Sequence, residues 1–281
     1  MSAFLASRRK FVVRPCPPAV PRDLRQGSGF RLATIMPHPP LPPELLDYIV
    51  DHLYDTRDTL ENCCLVSKLW AHRTRKHLFA VVKFRTEEDV QAWKNAFPDP
   101  STSPAHYTRS LSVWCVGAVT AADAEERGWI SVFSRVVHFD VEFDGPKNSL
   151  LPFHGFSPVL KSIHVDYSHF PCSQILNFVH SFPLIEDFSL LVWSGDLIDD
   201  TDRQPTTVQP PLTGMLKIDA HKGMEHIIPQ LFPPQNGLHF RKLDLGLFCE
   251  HDVLVTSTLV ERCSLTLESL EVCGGNCGVS L

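Results

Sequence analysis

Histidines and cysteines are the residue types in this sequence that could ligate a metal ion or act as nucleophiles. The chain has 281 residues, of which 14 are histidines and 9 are cysteines. The nearest approach to a metal cluster is Cys273-Gly-Gly-Asn-Cys277, with Cys249 and Cys263 upstream. This spacing matches no common zinc pattern, and no histidine follows it. Two interpretations stay open, a metal site and free thiols. The spacing favours free thiols, so we expect no bound metal.

Catalytic motifs are absent from the sequence. It contains no His-Glu-x-x-His, no Gly-x-Ser-x-Gly and no phosphate-binding glycine loop. His72 and His77 lie five residues apart, a spacing that does not stack two side chains on one helix face, so we expect them to face solvent or a partner. The sequence therefore predicts a non-catalytic protein without a cofactor. The alternative is an enzyme of irregular α/β fold whose catalytic groups converge from distant positions.

Residues 41–79 carry the densest helical pattern of the chain. Pro42-Pro43-Glu44 suits a first helical turn, because proline fits there and a carboxylate meets the positive end of the helix dipole. Ser67 can cap a later helix. So short a segment cannot bury all its apolar faces by itself, so the rest of the chain or a partner must cover them. The apolar residues at three- and four-residue steps are Leu45, Leu46, Ile49, Val50 and Leu53.

The spacing Leu41-Pro42-x-Glu44-Leu45, Ile49, Leu53, followed by Leu65-Val66-Ser67-x-x-Trp70, resembles the F-box. The resemblance implies docking on the Skp-family adaptor of a cullin-RING ubiquitin ligase and, through that adaptor, on a cullin. Two alternatives stay open: Leu53, Leu65 and Val66 could form a small internal core, or the segment could be a three-helix cap on the domain that follows. The adaptor contacts implied by the resemblance are Leu41, Pro42, Pro43, Glu44, Leu45, Ile49, Leu53, Leu65, Val66, Ser67 and Trp70.

Short strands with an apolar-x-apolar core recur after residue 110. Their first apolar residues follow one another at intervals of 26, 26, 25, 28, 27 and 27 residues. A period in the twenties is typical of a leucine-rich-repeat solenoid, with parallel strands inside and helices outside. The chain thus resembles the leucine-rich-repeat class of F-box proteins. The aligned first residues are Leu111, Val137, Ile163, Phe188, Leu216, Leu243 and Leu270.

The other elements complete a prediction of three segments. Residues 80–84 form a short strand, and Thr86 caps a helix over 87–97. Helices are expected over 121–133, 173–182, 224–231 and 253–263, and a polar, acidic loop over 195–214. The predicted organisation is a disordered, basic, proline-rich segment at 1–40, an F-box at 41–79 and a leucine-rich-repeat-like substrate-binding domain at 80–281, in the α/β class.

Charge and cysteine content narrow the partners and the compartment. Residues 1–40 hold seven of 26 basic and one of 32 acidic residues, which leaves 19 basic and 31 acidic residues in 41–281. An acidic body argues against nucleic acid as the main partner. No run of eighteen apolar residues occurs, so no membrane span is expected. Nine cysteines without paired spacing predict reduced thiols in an intracellular protein, in the cytoplasm, the nucleus or both.

Side chains alternate along a strand, so the residues between and beside the apolar pairs share one outward face. Carboxylates dominate that face, which predicts a protein substrate with a basic patch. The alternative is that these charges only keep an exposed sheet soluble; the two tryptophans are either interface anchors or core residues. The predicted concave-face residues are Trp114, His138, Asp140, His164, Asp166, Trp193, Lys217, Asp219, Asp244 and Glu271.

These patterns predict the substrate-recognition subunit of an SCF-type ubiquitin ligase. The F-box would hold the adaptor and the repeat domain would hold the target, without any catalytic group from this chain. The alternative is a leucine-rich-repeat scaffold that binds the adaptor without promoting ubiquitination.

Overall fold

The computed structural model describes residues 42–114, 128–142, 150, 153–167, 172–192, 212–220, 228–229, 232, 238–247 and 250–274. Within these residues the helices are α1 (Pro43–His52), α2 (Arg57–Val66), α3 (Lys68–Leu78), α4 (Glu87–Ala96), α5 (Gly128–Ser131), α6 (Cys172–His180) and α7 (Glu250–Cys263). The strands are β1 (Val81–Phe84), β2 (Ser110–Val113), β3 (His138–Glu142), β4 (Ser162–Tyr167), β5 (Asp187–Val192), β6 (Thr213–Ala220), β7 (His239–Leu247) and β8 (Ser269–Gly274). Short 3-10 helices span Pro100–Thr102 and Pro104–Tyr107.

All eight strands form one sheet whose spatial order, β1 to β8, is the order of the chain. Every neighbouring pair is parallel. A parallel neighbour requires a crossover connection, and each crossover here advances the sheet by one strand. The α/β class and the predicted parallel strands are therefore confirmed. None of the described helices is long and apolar enough to cross a lipid bilayer.

The register corrects the predicted alignment at the second repeat. Leu111 pairs with Phe139, not with the predicted Val137, so that repeat is displaced by two residues. The alternation of apolar residues at 137, 139 and 141 fits either register, because a shift of two residues leaves the same side chains on the same face. For this reason the prediction of which β3 side chains face the core is unaffected by the error in register.

The main core lies on one side of the sheet. Inward pairs such as Leu111 and Val113 on β2, or Ile163 and Val165 on β4, are fully buried. Leu270 and Val272, the predicted inward pair of β8, are each 46% exposed instead. Beneath the central strands the core is aromatic: the ring of Phe178 lies 6.1 Å from Phe139 and 5.2 Å from Phe182, centroid to centroid.

Helices α1 to α3 have a separate small core. Leu46 and Val50 of α1, with Leu60 and Cys63 of α2, are buried, yet none of the four belongs to the buried cluster of the sheet. Thr74, fully buried on α3, donates its hydroxyl hydrogen bond to the carbonyl oxygen of Trp70 at 2.7 Å. The three helices therefore bury part of their apolar surface against one another.

Several predicted elements can be compared with the structure directly. Thr86 caps α4 in a reciprocal capping box with Asp89, as predicted for the start of this helix. The strand predicted at 80–84 is β1, and it joins the sheet as its first strand. The helices predicted over 173–182 and 253–263 are α6 and α7. Most of the predicted loop at 195–214 and part of the helices predicted at 121–133 and 224–231 lie outside the described residues; residues 213 and 214 belong to β6, not to a loop.

Truncation of Phe178 tests the aromatic core. Phe178 is fully buried, and removal of a buried phenylalanine ring costs about 3–5 kcal/mol because the lost transfer energy adds to a cavity. We expect Phe178→Ala to lower the free energy of unfolding by that amount in urea titrations. Leu265→Ala is the control, since Leu265 is 99% exposed and its loss should change stability by less than about 0.5 kcal/mol. Equal losses in the two variants would contradict the core assignment.

Candidate functional site

One face of α1 is apolar and exposed. Leu45, Tyr48 and Ile49 lie at i, i+3 and i+4 and are 50%, 62% and 38% exposed. Residues at this spacing share a helix face, and Leu46 and Val50 on the neighbouring side are buried. Glu44, Pro42 and Pro43 at the start of the helix are exposed as well. The first helix thus presents a stripe of large apolar side chains that the described residues do not cover.

The end of α2 and the start of α3 extend this exposure. Leu65 and Val66 are 66% and 67% exposed, and Leu69 is 44% exposed. The alternative of an internal core is therefore wrong for Leu65 and Val66. Ser67 between the helices accepts a hydrogen bond from the backbone N–H of Trp70 at 3.3 Å, which caps α3 as predicted. We call Leu45, Tyr48, Ile49, Leu65, Val66 and Leu69 the exposed apolar set.

Two side-chain contacts hold α1 on α3. Asp47 pairs with Arg73, and one helical turn later Asp51 accepts a hydrogen bond from Nε2 of His77 at 2.8 Å. Because 47 and 51, like 73 and 77, are four residues apart, the contacts form two successive rungs between the helices. With these two contacts in place, the apolar stripe of α1 faces away from α3.

The two histidines of α3 have hydrogen-bond partners within the chain, although His72 is exposed, as predicted, and His77 is partly exposed. His77 bonds to Asp51 as described, and Nδ1 of His72 lies 3.2 Å from the hydroxyl of Tyr107. Tyr107 ends the second 3-10 helix, so this contact connects α3 to the segment that precedes β2. Both histidines contribute to positioning the helices.

The sheet face opposite the core carries polar side chains; we call it the open face. The strand register places its residues in rows that cross the sheet, and two of these rows hold most of the carboxylates. The first row is Lys83, Ser112, Asp140, His164, Ser189, Lys217, Asp244 and Glu271. The second row is Trp114, Glu142, Asp166, Leu191, Asp219, Gly246 and Cys273.

Side chains of the open face form hydrogen bonds across strands. Trp114 donates its indole N–H to Oδ2 of Asp140 at 3.2 Å. The other oxygen of Asp140 lies 4.0 Å from Nε2 of His164, whose Nδ1 lies 2.8 Å from the hydroxyl of Ser189. Trp114 is partly exposed, so it belongs to the open face and not to the core. This part of the face thus contains two hydrogen-bonded pairs, Trp114 with Asp140 and His164 with Ser189.

The line Ser189, His164, Asp140 has the residue types of a nucleophilic triad but not its geometry. The 4.0 Å between Asp140 and His164 exceeds the reach of a hydrogen bond. A triad also needs backbone N–H donors at the oxyanion position, and the N–H groups of a strand within a sheet are used in the ladder. The arrangement favours recognition of polar groups rather than acyl transfer.

The far half of the open face is also paired. Nζ of Lys217 donates to Oδ2 of Asp244 at 2.6 Å, and this carboxylate is the main cause that raises the pKa of Lys217. The carboxylate of Asp219 leans over Gly246, where a Cβ would lie 2.6 Å from Oδ1. Glu271 on β8 is exposed. Lys217 and the exposed Lys242 of β7 add positive charges to this half of the face, beside the carboxylates of Asp219, Asp244 and Glu271.

The predicted thiols show no metal geometry where the structure describes them. Cys263 is buried, and burial raises the pKa of its thiol, whereas Cys273 is exposed on β8. Cys249 and Cys277 lie outside the described residues. Within the described part of the chain, no group of three or more histidine, cysteine or carboxylate side chains could hold a metal ion.

A cleft of about 330 Å³ is formed by α4, α5 and the segment that follows α4. Its walls include Trp93, Phe97 and Trp129, and Lys94 lies with Nζ 5.6 Å from the centre of the Trp129 ring. The hydroxyl of Ser103, also in the lining, accepts from the N–H of Ala105. Substrate sites combine apolar walls with several convergent polar groups, and the described lining offers the Lys94 ammonium for that role. The cleft therefore supports a functional site less well than the two surfaces above.

The structure brings together most of the residues predicted as sites, in two separate groups. Leu53 and Trp70 are partly exposed beside the exposed apolar set, and His138 is exposed at the start of β3. Leu41 and Trp193 lie outside the described residues. Sequence reasoning missed Lys83 and Arg85, because β1 was predicted as a strand but not as part of the repeat series.

Comparison with protein-family models, with curated proteins and with solved structures finds no match for this chain. The exposed apolar set and the open face are therefore the features that bear on its function.

Proposed function

We propose that this chain is the substrate-recognition subunit of an SCF-type ubiquitin ligase. Helices α1 to α3 act as an F-box that binds a Skp-family adaptor and, through it, a cullin. The sheet and its helices act as an irregular leucine-rich-repeat domain that binds a protein substrate with a basic patch. The chain works inside the cell, in the cytoplasm, the nucleus or both, and supplies no catalytic group.

The observation that carries the proposal is the exposed apolar set. Six large apolar side chains between residues 45 and 69 are 38% to 67% exposed, although the same helices bury a core of their own. Large apolar side chains exposed on a short helical unit are typical of a protein-binding surface. Burial of such a side chain contributes about 1.5–3 kcal/mol when it is complete. The adaptor named by the F-box resemblance is the partner that fits.

The repeat interpretation is supported by strand order. Eight parallel strands follow one another in chain order, as they do when each repeat contacts only its neighbours. In the register of the structure, the strand residues that pair in series lie 24 to 28 residues apart; they are Leu111, Phe139, Ile163, Phe188, Leu216, Leu243 and Leu270. That interval stays within the range of leucine-rich repeats.

The open face supports the substrate role. Asp140, Glu142 and Asp166 lie side by side on β3 and β4, and Asp219, Asp244 and Glu271 follow on β6 to β8. Such a face favours a partner with clustered lysine or arginine side chains. Binding there raises the effective concentration of target lysines at the conjugating enzyme, which is how a subunit without catalytic groups accelerates the transfer.

Reconstitution tests the proposal. We expect the full-length chain to bind a purified Skp-family adaptor in a pull-down and to promote ubiquitin transfer to a co-purified protein when cullin, RING subunit and conjugating enzyme are added. The control is the same mixture without this chain. Failure to bind the adaptor would refute the F-box role.

The second candidate is a scaffold of the same architecture that binds the adaptor without promoting ubiquitination. In either case the open face is a binding surface. Its Lys217–Asp244 ion pair and the hydrogen bond of Trp114 to Asp140 fit both functions. Adaptor binding without ubiquitin transfer to any protein captured by the open face would favour the scaffold.

A further inference from the structure

The first corner of the open face differs in charge from the rest. Because β1 is part of the sheet, Lys83 stands beside Ser112 in the first row, and Asp140 follows on β3. Arg85 comes directly after β1, next to Trp114, which comes directly after β2. Two cations and one indole thus occupy the corner, and the carboxylates begin at β3.

Arg85 and Trp114 are each held at two points. The guanidinium carbon of Arg85 lies 5.2 Å from the centre of the Trp114 ring, and the backbone N–H of Arg85 donates to Oδ2 of Asp89 at 2.9 Å. Trp114 donates its backbone N–H to the carbonyl of Phe84 at 2.8 Å and its indole N–H to Asp140 at 3.2 Å. A guanidinium stacked on an indole keeps its N–H donors at its edge. The corner is therefore preorganised, which lowers the entropic cost of binding.

Charge complementarity selects the ligand for this corner. Arg85 is exposed and Lys83 is partly exposed, and an arginine fork matches the two oxygens of a carboxylate. Tryptophan and arginine are also the residue types enriched among interface hot spots. An aspartate or glutamate side chain, with its apolar stem against Trp114, satisfies the three groups together.

We propose that Lys83, Arg85 and Trp114 bind an acidic side chain of the protein segment that the open face recognises. This inference rests on the proposed substrate role of that face. Neighbouring strands lie about 4.8 Å apart, so β1 and β3 are separated by about 10 Å, the length of about three extended residues. The recognised segment therefore carries an acidic residue three positions from the basic residue that the carboxylates of β3 accept.

The test selects random 12-residue peptides, displayed on phage, against the immobilised full-length chain without adaptor. We expect the enriched peptides to pair an acidic and a basic residue three positions apart. The best peptide should bind Lys83→Gln/Arg85→Gln about tenfold to a hundredfold more weakly, since charge-assisted contacts are lost. Arg75→Gln/Lys76→Gln on α3, which removes two exposed cations elsewhere, is the matched control and should bind like the wild type.

Trp114→Phe supplies a second variant, because it keeps an aromatic ring but loses the bond to Asp140. We expect intermediate weakening with an unchanged melting temperature. The inference is overturned if no peptide is selected, if the selected peptides carry no acidic residue, or if Lys83→Gln/Arg85→Gln binds them with wild-type affinity. Adaptor binding is measured separately on the same variants, so a failure of the F-box role is distinguished from a failure of this corner.

Discussion

Alanine at both Leu45 and Ile49 is expected to weaken adaptor binding about 10- to 80-fold. The two side chains are 50% and 38% exposed, so a partner that covers them removes roughly half of each from water. The truncation then costs about 1.3–2.6 kcal/mol of binding free energy in total, at about 1.5–3 kcal/mol for each complete burial. Surface plasmon resonance with a purified Skp-family adaptor measures the change. Helical content should be retained, since alanine favours a helix at least as well as leucine or isoleucine.

The matched control for this pair is Leu184→Ala/Val159→Ala. These residues have the same exposures, 50% and 38%, but lie in connections of the sheet region and not on the helices. The control should bind the adaptor with wild-type affinity, because equal apolar area is lost where no contact is proposed. Equal weakening in both double variants, or wild-type binding by Leu45→Ala/Ile49→Ala, would remove the helices from the proposed interface.

Periodicity predicted which helices exist but not which of their apolar residues are covered. Leu45, Leu46, Ile49 and Val50 all belong to one apolar stripe in the sequence, yet Leu46 and Val50 are buried while Leu45 and Ile49 are exposed. The division depends on how α1 packs on its neighbours, to which the Asp47–Arg73 and Asp51–His77 contacts belong. Those pairs join residues 26 apart in sequence, and no local pattern reports them.

The sheet was predictable for a different reason. Alternation along a strand decides the face of each side chain, so the two-residue displacement at Val137 left Asp140 on the open face. What alternation cannot decide is the row in which a residue stands. The spacing therefore could not show which charged residues lie next to Asp140. Lys83 of β1, and Arg85 directly after it, were placed only by the register of the structure.

The two surfaces answer different physical demands. The exposed apolar set offers area and little charge, which suits a partner held for long periods. The open face offers charges that are already paired or hydrogen-bonded, as Lys217 is with Asp244. A substrate must displace or extend these bonds, so affinity there is modest and specificity comes from placement. A recognition subunit requires one surface that binds its adaptor stably and another that binds and releases its substrates.

Replacement of Gly214 by alanine is expected to destabilise the sheet by about 3–5 kcal/mol. Gly214 has φ +91°, and an added Cβ would lie 2.1 Å from the carbonyl oxygen of Glu186. That carbonyl cannot move freely, because it accepts the backbone N–H of Met215 at 3.1 Å and so ties β6 to β5. Alanine must therefore overcome both an unfavourable backbone conformation and a backbone collision. Urea titration followed by circular dichroism measures the loss of unfolding free energy.

Gly155→Ala separates the two causes. Gly155 also has positive φ, at +63°, but the nearest atom to an added Cβ is the carbonyl oxygen of Ser181 at 3.9 Å, an ordinary contact. We expect this variant to lose only the conformational part, about 1–2 kcal/mol. The difference between the variants then reports the close approach of β5 and β6, where the register shifts between Gly214 and Met215. If both variants lose the same amount, the strands do not approach as described, and the rows of the open face beyond β5 would need a different register.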